Sequence, residues 1–476
     1  MRGRCFAIAC ALALVLSGTV ASRAQQGDEL QQLKDQFKAM QKMMLEMQAK
    51  IEAIEKARGL PPTAVGPVPS IPPAPPAPPS GGLPALSPAL TERQTFSENP
   101  YGVARVDNAP LDPKMLGFFS LPGTPARMRI GGYTKLDAIH DFSPAGNPDW
   151  FVTSTIPIGD VADVSNSEIQ VRQTRFNIEI RRPVLGDDLR FFYENDFTGG
   201  NGQRAFNLRH AYGQWRNLLA GFTFSTFNDM DSLPDTLDFE GPGSAIFNYN
   251  AQIRYTWAIA KRHSLAFAFE QPLSDVPKVM APVSSGIQIT PNSPWPDFVI
   301  RYRYENERGH VQLGTLLRSV GAWYQTDHAD HFCYGFSLGA ALRVGDLDNV
   351  LFQGTYGKGI SRYVNDLGGT GYDLGLEHGM NATPLPVCGG LAGYEHYWTE
   401  KLRSCLTYGY LKADTYYLPM PTNFRSSAYA AANLIYNVMG SLNIGAEVLW
   451  GNHAQVDGQK RDATRFQFSF QYDFVK

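Results

Sequence analysis

Nine arginines, Arg175, Arg181, Arg190, Arg209, Arg254, Arg301, Arg303, Arg318 and Arg343, fall in or beside segments where polar and apolar residues alternate. A guanidinium keeps its charge and grips carboxylate with a fixed fork of donors, so a row of them binds and guides anions rather than making or breaking bonds. In a narrow, low-dielectric passage such a row concentrates anions even when the whole protein is acidic. Glu179, Glu194, Glu305 and Glu447 are placed to pair some of these arginines into structural networks. A second group is acidic. Residues 228–249, NDMDSLPDTLDFEGPGSAIFNY, carry Asp229, Asp231, Asp235, Asp238 and Glu240 and show no strand alternation. A loop this long usually has a task. Folded inward, it narrows a lumen and sets its acids across from the arginines; it could also cover the outside, or hold a divalent cation, although irregularly spaced oxygen ligands argue weakly for calcium. The compact group Asp327, His328, Asp330 and His331 could take a metal or, with a nucleophile at a rim, support hydrolysis. No helical ligand spacing, nucleophile elbow or phosphate loop accompanies it, so it reads as a solvated loop. The sequence therefore predicts no catalytic residue, no cofactor and no metal.

These side chains need a scaffold with one fatty face and one charged face, and period-two alternation supplies it. Phe466, Phe468, Phe470, Tyr472 and Phe474 alternate with Arg465, Gln467, Ser469, Gln471 and Asp473. Five consecutive large aromatics on one face exceed what a small core holds but suit lipid. The same pattern sets Phe176, Ile178 and Ile180 against Arg175, Asn177, Glu179 and Arg181, and Ile253, Tyr255 and Trp257 against Gln252, Arg254 and Thr256. It continues with Ile300, Tyr302 and Tyr304 against Arg301, Arg303 and Glu305, and with Leu442, Ile444, Ala446 and Val448 against Asn443, Gly445 and Glu447. Strands in lipid must close, because an open edge leaves its amides unpaired. Residues 128–476, at roughly 20 to 24 residues per strand with its share of loop, predict about 16 strands. The fold class is all-β: a transmembrane antiparallel β-barrel wide enough to be hollow.

Ahead of the barrel the chain divides into three further zones. Residues 1–24 combine Arg2 and Arg4, an apolar run from Phe6 to Leu16 and small residues before Gln25, a secretory signal too short to span a bilayer. In residues 25–58 the apolar positions Leu30, Leu33, Phe37, Met40, Met44, Met47, Ile51 and Ile54 alternate gaps of three and four, the seam of a left-handed coiled coil. That seam predicts a homo-oligomer, with most of the association supplied by the barrel. Residues 59–127 begin with a proline tract that forbids helix and sheet and favours polyproline II, a stiff spacer, followed by an irregular lead-in. Cys333, Cys388 and Cys405 remain after the signal is removed; an odd three is no disulfide framework, though one pair could bridge two external loops.

Composition closes off other classes. With 43% hydrophobic and 12% aromatic residues over 476 the chain is not disordered, and a mean hydropathy of -0.24 without long apolar runs excludes a polytopic helical membrane protein. The formal net charge is -3, and the segment after the signal keeps 39 basic against 45 acidic residues, which argues against nucleic acid as a partner.

The runs GGYTKLDAIHDF (131–142), RQTRFNIEIRRP (172–183), LRHAYGQW (208–215) and TFSTFNDMDSLPDTLDFEGPG (223–243) resemble the DcaP-like trimeric outer-membrane porins. The resemblance spans nearly all of the chain after the signal and implies a homotrimer of 16-stranded barrels in the Gram-negative outer membrane, among lipid and lipopolysaccharide, with the N-terminal segment in the periplasm. It also implies passage of small negatively charged solutes such as dicarboxylates and aromatic acids, with Asp229, Asp231, Asp235, Asp238 and Glu240 on or near a constricting loop and Arg175 and Arg209 on the pore wall. Two other readings are a structural or adhesive barrel tethered through the coil, and a barrel hydrolase using the His/Asp group.

Overall fold

The computed structural model describes residues 115, 117–199, 204–277, 289–324, 327–345, 347–376, 382–414 and 422–475. The signal, the coiled-coil seam from Leu30 to Ile54 and the proline tract lie outside the described residues.

Sixteen antiparallel strands follow one another in chain order: β1 (Arg127–Asp141), β2 (Asn166–Gln170 and Arg175–Val184), β3 (Asp187–Gly199), β4 (Ala205–Trp215), β5 (Leu218–Phe224), β6 (Tyr249–Ala260), β7 (His263–Glu270) and β8 (Thr290–Asn292 and Asp297–Asn306). They continue through β9 (Gly309–Tyr324), β10 (Asp327–Val344), β11 (Asp348–Lys358), β12 (Pro386–Tyr397), β13 (Leu402–Ala413), β14 (Phe424–Met439), β15 (Leu442–Gln455) and β16 (Lys460–Val475). Each pairs with its neighbours, and β16 returns to β1 with Phe470 opposite Leu136, so the sheet closes without an edge. The strand count expected from chain length is thus met. A short bridge, Phe119–Ser120, extends the ladder of β1 at the end where the barrel's first and last strands meet.

The alternation sorts by face. Phe466, Phe468, Phe470, Tyr472 and Phe474 stand outward and exposed, while Arg465, Gln467 and Ser469 are buried inside. Such a surface is stable only when the outer solvent is lipid. The inside is polar, and it is not empty: inward-facing Val299, Leu316, Val387 and Leu411 form an apolar patch that buries Phe227 and Ile246 of the loop 225–248 together with Ile360, Tyr363, Val364 and Leu367 of the loop 359–385. A third loop, 142–165, seats Phe151 and Ile156 against Tyr429, Ala431 and Leu449. The described parts of three loops therefore carry small cores of their own into the barrel and pack on its wall.

The three cysteines lie on strands, not on external loops, and all are free, so the loop-bridging pair is corrected. The His/Asp group is likewise not a loop: it opens β10, where neighbouring residues point to opposite faces, and Asp330 and His331 pair with Gly321 and Val320 of β9. His328 and Asp330 therefore share one face of the strand, and Asp327 and His331 the other.

Candidate functional site

The acidic loop 225–248 turns into the lumen and crosses to the far wall. Its path is fixed acid by acid. Asp229 accepts from His310 at 2.8 Å and pairs with Arg303 at 3.3 Å, and Arg303 also holds Asp231. Asp235 accepts from Arg403 of β13 at 2.7 Å. Beyond it the backbone amides of Leu237 and Asp238 donate to the Glu447 carboxylate at 3.0 and 2.8 Å, and Lys135 donates to the Leu237 carbonyl at 2.6 Å. Glu447 thus anchors loop backbone and not an arginine, which corrects its expected pairing; the other three do pair, Glu179 with Arg181 and Arg190, Glu194 with Arg209 and Arg175, Glu305 with Arg303.

Glycine makes the close approach possible. A Cβ on Gly339 of β10 would stand 2.1 Å from an Asp229 carboxylate oxygen, and one on Gly445 of β15 would stand 2.9 Å from the Leu237 side chain. Both face the lumen, at places where the loop lies on the wall.

Asp229, Asp231 and His310 bring one ligand atom each within 4.8 Å of one another, close enough for a divalent cation. Arg303 already spans the two carboxylates, so a guanidinium supplies the positive charge there.

The loop leaves a cavity of about 550 Å³ with opposite charge on its two sides. Lys135, Arg175 and Arg209 stand on the wall; Asp231, Asp235, Asp238 and Glu240 stand on the loop. Phe239 of the loop projects toward the wall, its ring 5.6 Å from the Arg175 guanidinium and 5.4 Å from that of Arg209. These contacts tie the loop tip to the wall without consuming the cations' hydrogen bonds. Arg209 spends its own on Glu194 and Asp196, both at 3.0 Å, whereas Arg175 reaches Glu194 only at 3.7 Å and leaves its Nε buried without a partner.

Toward the end of the barrel that carries its tight turns, Arg129, Arg181 and Arg190 converge on the single carboxylate of Glu179, at 2.9, 2.8 and 2.9 Å. Glu179 thus ties the guanidiniums of β1, β2 and β3 together at one point. Arg343 is half-buried across from Asn349. Arg254 donates to the Gln252 side chain at 2.9 Å and to the Phe224 carbonyl at 2.7 Å, and Arg301 lies beside Arg303 on β8. Arg318 is different in kind: fully buried, it joins Asp373, Gly359 and Leu273 of the loops to the wall at Asp297. It braces loops and does not face the open lumen.

Lys135, Arg129, Arg403 and the whole loop 359–385 escaped the reading from sequence. Lys135 was legible, since TKLDAIH alternates; the loop was legible only as a long unalternating gap between β11 and β12.

At the junction of the three inward loops Asp366 accepts from the Thr153 hydroxyl at 2.6 Å and the Ser154 amide at 2.9 Å, while Asp238 accepts from the Phe151 amide at 3.1 Å. Burial pushes the Asp366 carboxyl from an ordinary 3.8 to about 6, against the hold of its hydrogen bonds, and burial followed by Asp366 and Asp238 pushes Glu240 well up. An acid whose native pKa is raised takes up a proton on folding, so its contribution is complete below about 4 and is lost as pH rises through about 6. Asp366→Asn mimics the protonated form. It should slow hydrogen exchange at the Ser154 amide at pH 7.5 relative to wild type and leave exchange nearly unchanged near pH 4; wild-type protection that is flat between pH 4 and 8 would contradict this.

A closed sixteen-stranded barrel, apolar outside, ionic within and narrowed by an inward loop, defines an outer-membrane channel of the porin type. The chain belongs to the DcaP outer membrane protein family, whose profile matches residues 121–474. Among solved structures it is similar to the outer membrane channel DcaP of Acinetobacter baumannii, at 20% identity over 75% of this chain and 100% of that one, with a TM-score of 0.65. Weaker likenesses, at 10% identity, are to OmpT of Vibrio cholerae, covering 74% of this chain and 99% of that one with a TM-score of 0.47, and to Salmonella typhi OmpF, covering 75% and 100% with a TM-score of 0.45. No curated protein matches the sequence.

Proposed function

We propose that the protein is a passive channel for small hydrophilic anions, drawn along the β1 to β4 wall and sieved between that wall and the loop 225–248. The observation that carries this reading is Arg175, whose guanidinium stands at the constriction beside Phe239 with its Nε buried and unpartnered. The loop acids facing them are neutralised by other partners, Asp231 by Arg303 and Asp235 by Arg403, while Glu240 is held toward its neutral form. Carboxylates such as dicarboxylates and aromatic acids fit a site with forked donors on one side and aromatic rings, Phe239 and Phe247, beside them. The family resemblance adds a homotrimer in outer-membrane lipid and lipopolysaccharide, with the N-terminal coil in the periplasm. On this reading the chain needs no cofactor and catalyses nothing.

The test is the reversal potential of purified trimer across a potassium chloride gradient. Wild type should prefer chloride, and Arg175→Gln together with Arg129→Gln should move the potential toward zero. A cation preference in wild type that both substitutions leave unmoved would end the electrostatic account.

A further inference from the structure

On the outward face of β13 the residues climb from Leu406 through Tyr408 and Tyr410 to Lys412, and on β11 they climb from Val350 and Phe352 through Tyr356 to Lys358. Each lysine stands one pleat above an exposed tyrosine. Both lie at the strand ends that lead into long loops, the extracellular side of an outer-membrane barrel. On β12 between them, Cys388 is ten residues from the exposed Trp398, which with the usual strand tilt is roughly 25 Å, the height of a lipid-facing band. The lysines therefore stand where hydrocarbon gives way to headgroups.

The ladders gather the cations into one sector. Lys358 is opposite Pro386 and Lys412 is opposite Cys388, two residues further along β12, so their Cα atoms lie about 12 Å apart. Ser426 of β14 is opposite Lys412, and exposed Arg425 sits beside it at the bulge that opens that strand. The outward residues between them, Pro386, Cys388 and Ser426, are small and leave low ground among three long side chains. Residues 356–358, 386–388, 411–414 and 422–426 carry these three cations and one acid, Asp414. Among the described residues Lys358, Lys412 and Arg425 make no ion pair and no side-chain hydrogen bond. Like charges gathered this closely repel one another until an anion lies among them.

We propose that Lys358, Lys412 and Arg425 form a docking site for the phosphorylated sugar headgroup of an outer-leaflet glycolipid, whose acyl chains lie along Tyr356, Tyr408 and Tyr410 below. The proposal rests on the outer-membrane placement of the barrel and not on the anion-channel reading, because these side chains face away from the lumen. A phosphate monoester brings close to two negative charges and three acceptor oxygens, which suits several separate donors. A disaccharide with phosphate at both ends can reach cations on β11 and β13 together. The single charge of a phosphodiester lipid cannot.

Cys388 lies in the middle of the site and is exposed, whereas Cys333 and Cys405 are buried, so the rate of Cys388 modification by N-ethylmaleimide reads occupancy. The folded full-length oligomer in nonionic detergent is mixed with diphosphoryl lipid A, monophosphoryl lipid A or phosphatidylglycerol. In wild type diphosphoryl lipid A should slow the modification with a saturating dependence, and phosphatidylglycerol should need at least about tenfold more to match it, with monophosphoryl lipid A between. Lys412→Gln should raise the half-protecting concentration of diphosphoryl lipid A about fivefold, and Lys358→Gln, Lys412→Gln and Arg425→Gln together by tens of fold. Because none of the three has a partner on the described protein to lose, these variants should melt no lower than wild type in lipid-free detergent, which a structural role would not allow. Equal protection of wild type and the triple variant would overturn the proposal, and so would equal protection by diphosphoryl lipid A and phosphatidylglycerol. A Cys388 that does not react in the lipid-free oligomer would mean that another subunit covers this face, and would overturn it too. If the triple variant does not assemble, an unchanged half-protecting concentration in Lys412→Gln alone decides against the site. A channel that prefers cations, yet keeps a lipid A protection lost in the triple variant, would leave the site standing and remove only the transport reading.

Discussion

Replacing residues 231–242 with a short glycine and serine link should raise the single-channel conductance several-fold while the barrel stays folded. The replaced stretch contains the portion of the loop that crosses the lumen and lines the cavity of about 550 Å³. It leaves in place Phe227 and Ile246, which pack on Val299, Leu316 and Val387, and so preserves the core shared with the loop 359–385. The ladders from β1 to β16 do not pass through the loop, so heat-resistant mobility of the oligomer should survive. The charges that the segment engages, Lys135, Arg403 and Glu447, face a wider water-filled lumen once it is gone and can be solvated there. Conductance in symmetric potassium chloride is the readout; a value unchanged from wild type would mean that this loop is not the narrowest point.

Arg318→Ala should be among the most damaging single substitutions inside the barrel, costing about 3 to 5 kcal/mol of stability. The guanidinium is completely buried and holds two carboxylates, Asp297 at 3.3 Å and Asp373 at 3.0 Å, together with the carbonyls of Gly359 at 2.9 Å and Leu273 at 2.6 Å. Its removal strands both acids away from water and unties the loop 359–385 from β8 and β9. Because that loop packs on Phe227 and Ile246, the constriction should loosen with it, giving noisy, subconductance-rich currents beside a lowered unfolding midpoint. The combination Arg318→Met, Asp297→Asn and Asp373→Asn removes the stranded charge and should recover a large part of the loss. If Arg318→Ala melts within a degree or two of wild type, the network is ornamental and the loops are held by packing alone.

Much of the wall was legible because strand geometry leaves a direct trace in sequence. An inward residue must alternate with an outward one, so the aromatics from Phe466 to Phe474 and the charges between them announce both faces. The inward path of the acidic loop was not a consequence of its composition; five acids could equally have faced outside water. What fixes it is distributed over distant strands: Arg303, Arg403, Glu447 and Lys135 hold it, and glycine at 339 and 445 makes room. Gly445 sat inside a recognised alternation, on the inward face, where its missing side chain was the one local sign that something else fills that space. The pairing of individual arginines was still less legible. Arg318 and Arg301 occupy inward positions of the same kind, yet only the first is bonded to a loop acid, Asp373. The second inward loop, 359–385, left almost no trace, since its residues Ile360, Tyr363, Val364 and Leu367 bury apolar surface inside a barrel whose interior is otherwise polar.

A channel of this kind needs a water-filled path between the arginine wall and the loops. Current recorded across a planar bilayer with folded, detergent-extracted oligomer is the check on that path. It should rise in discrete steps whose size grows with salt concentration and falls when a neutral polymer small enough to enter the constriction is added. A well-inserted oligomer that passes no current at any voltage would contradict it, and would leave a plugged, purely structural barrel in its place.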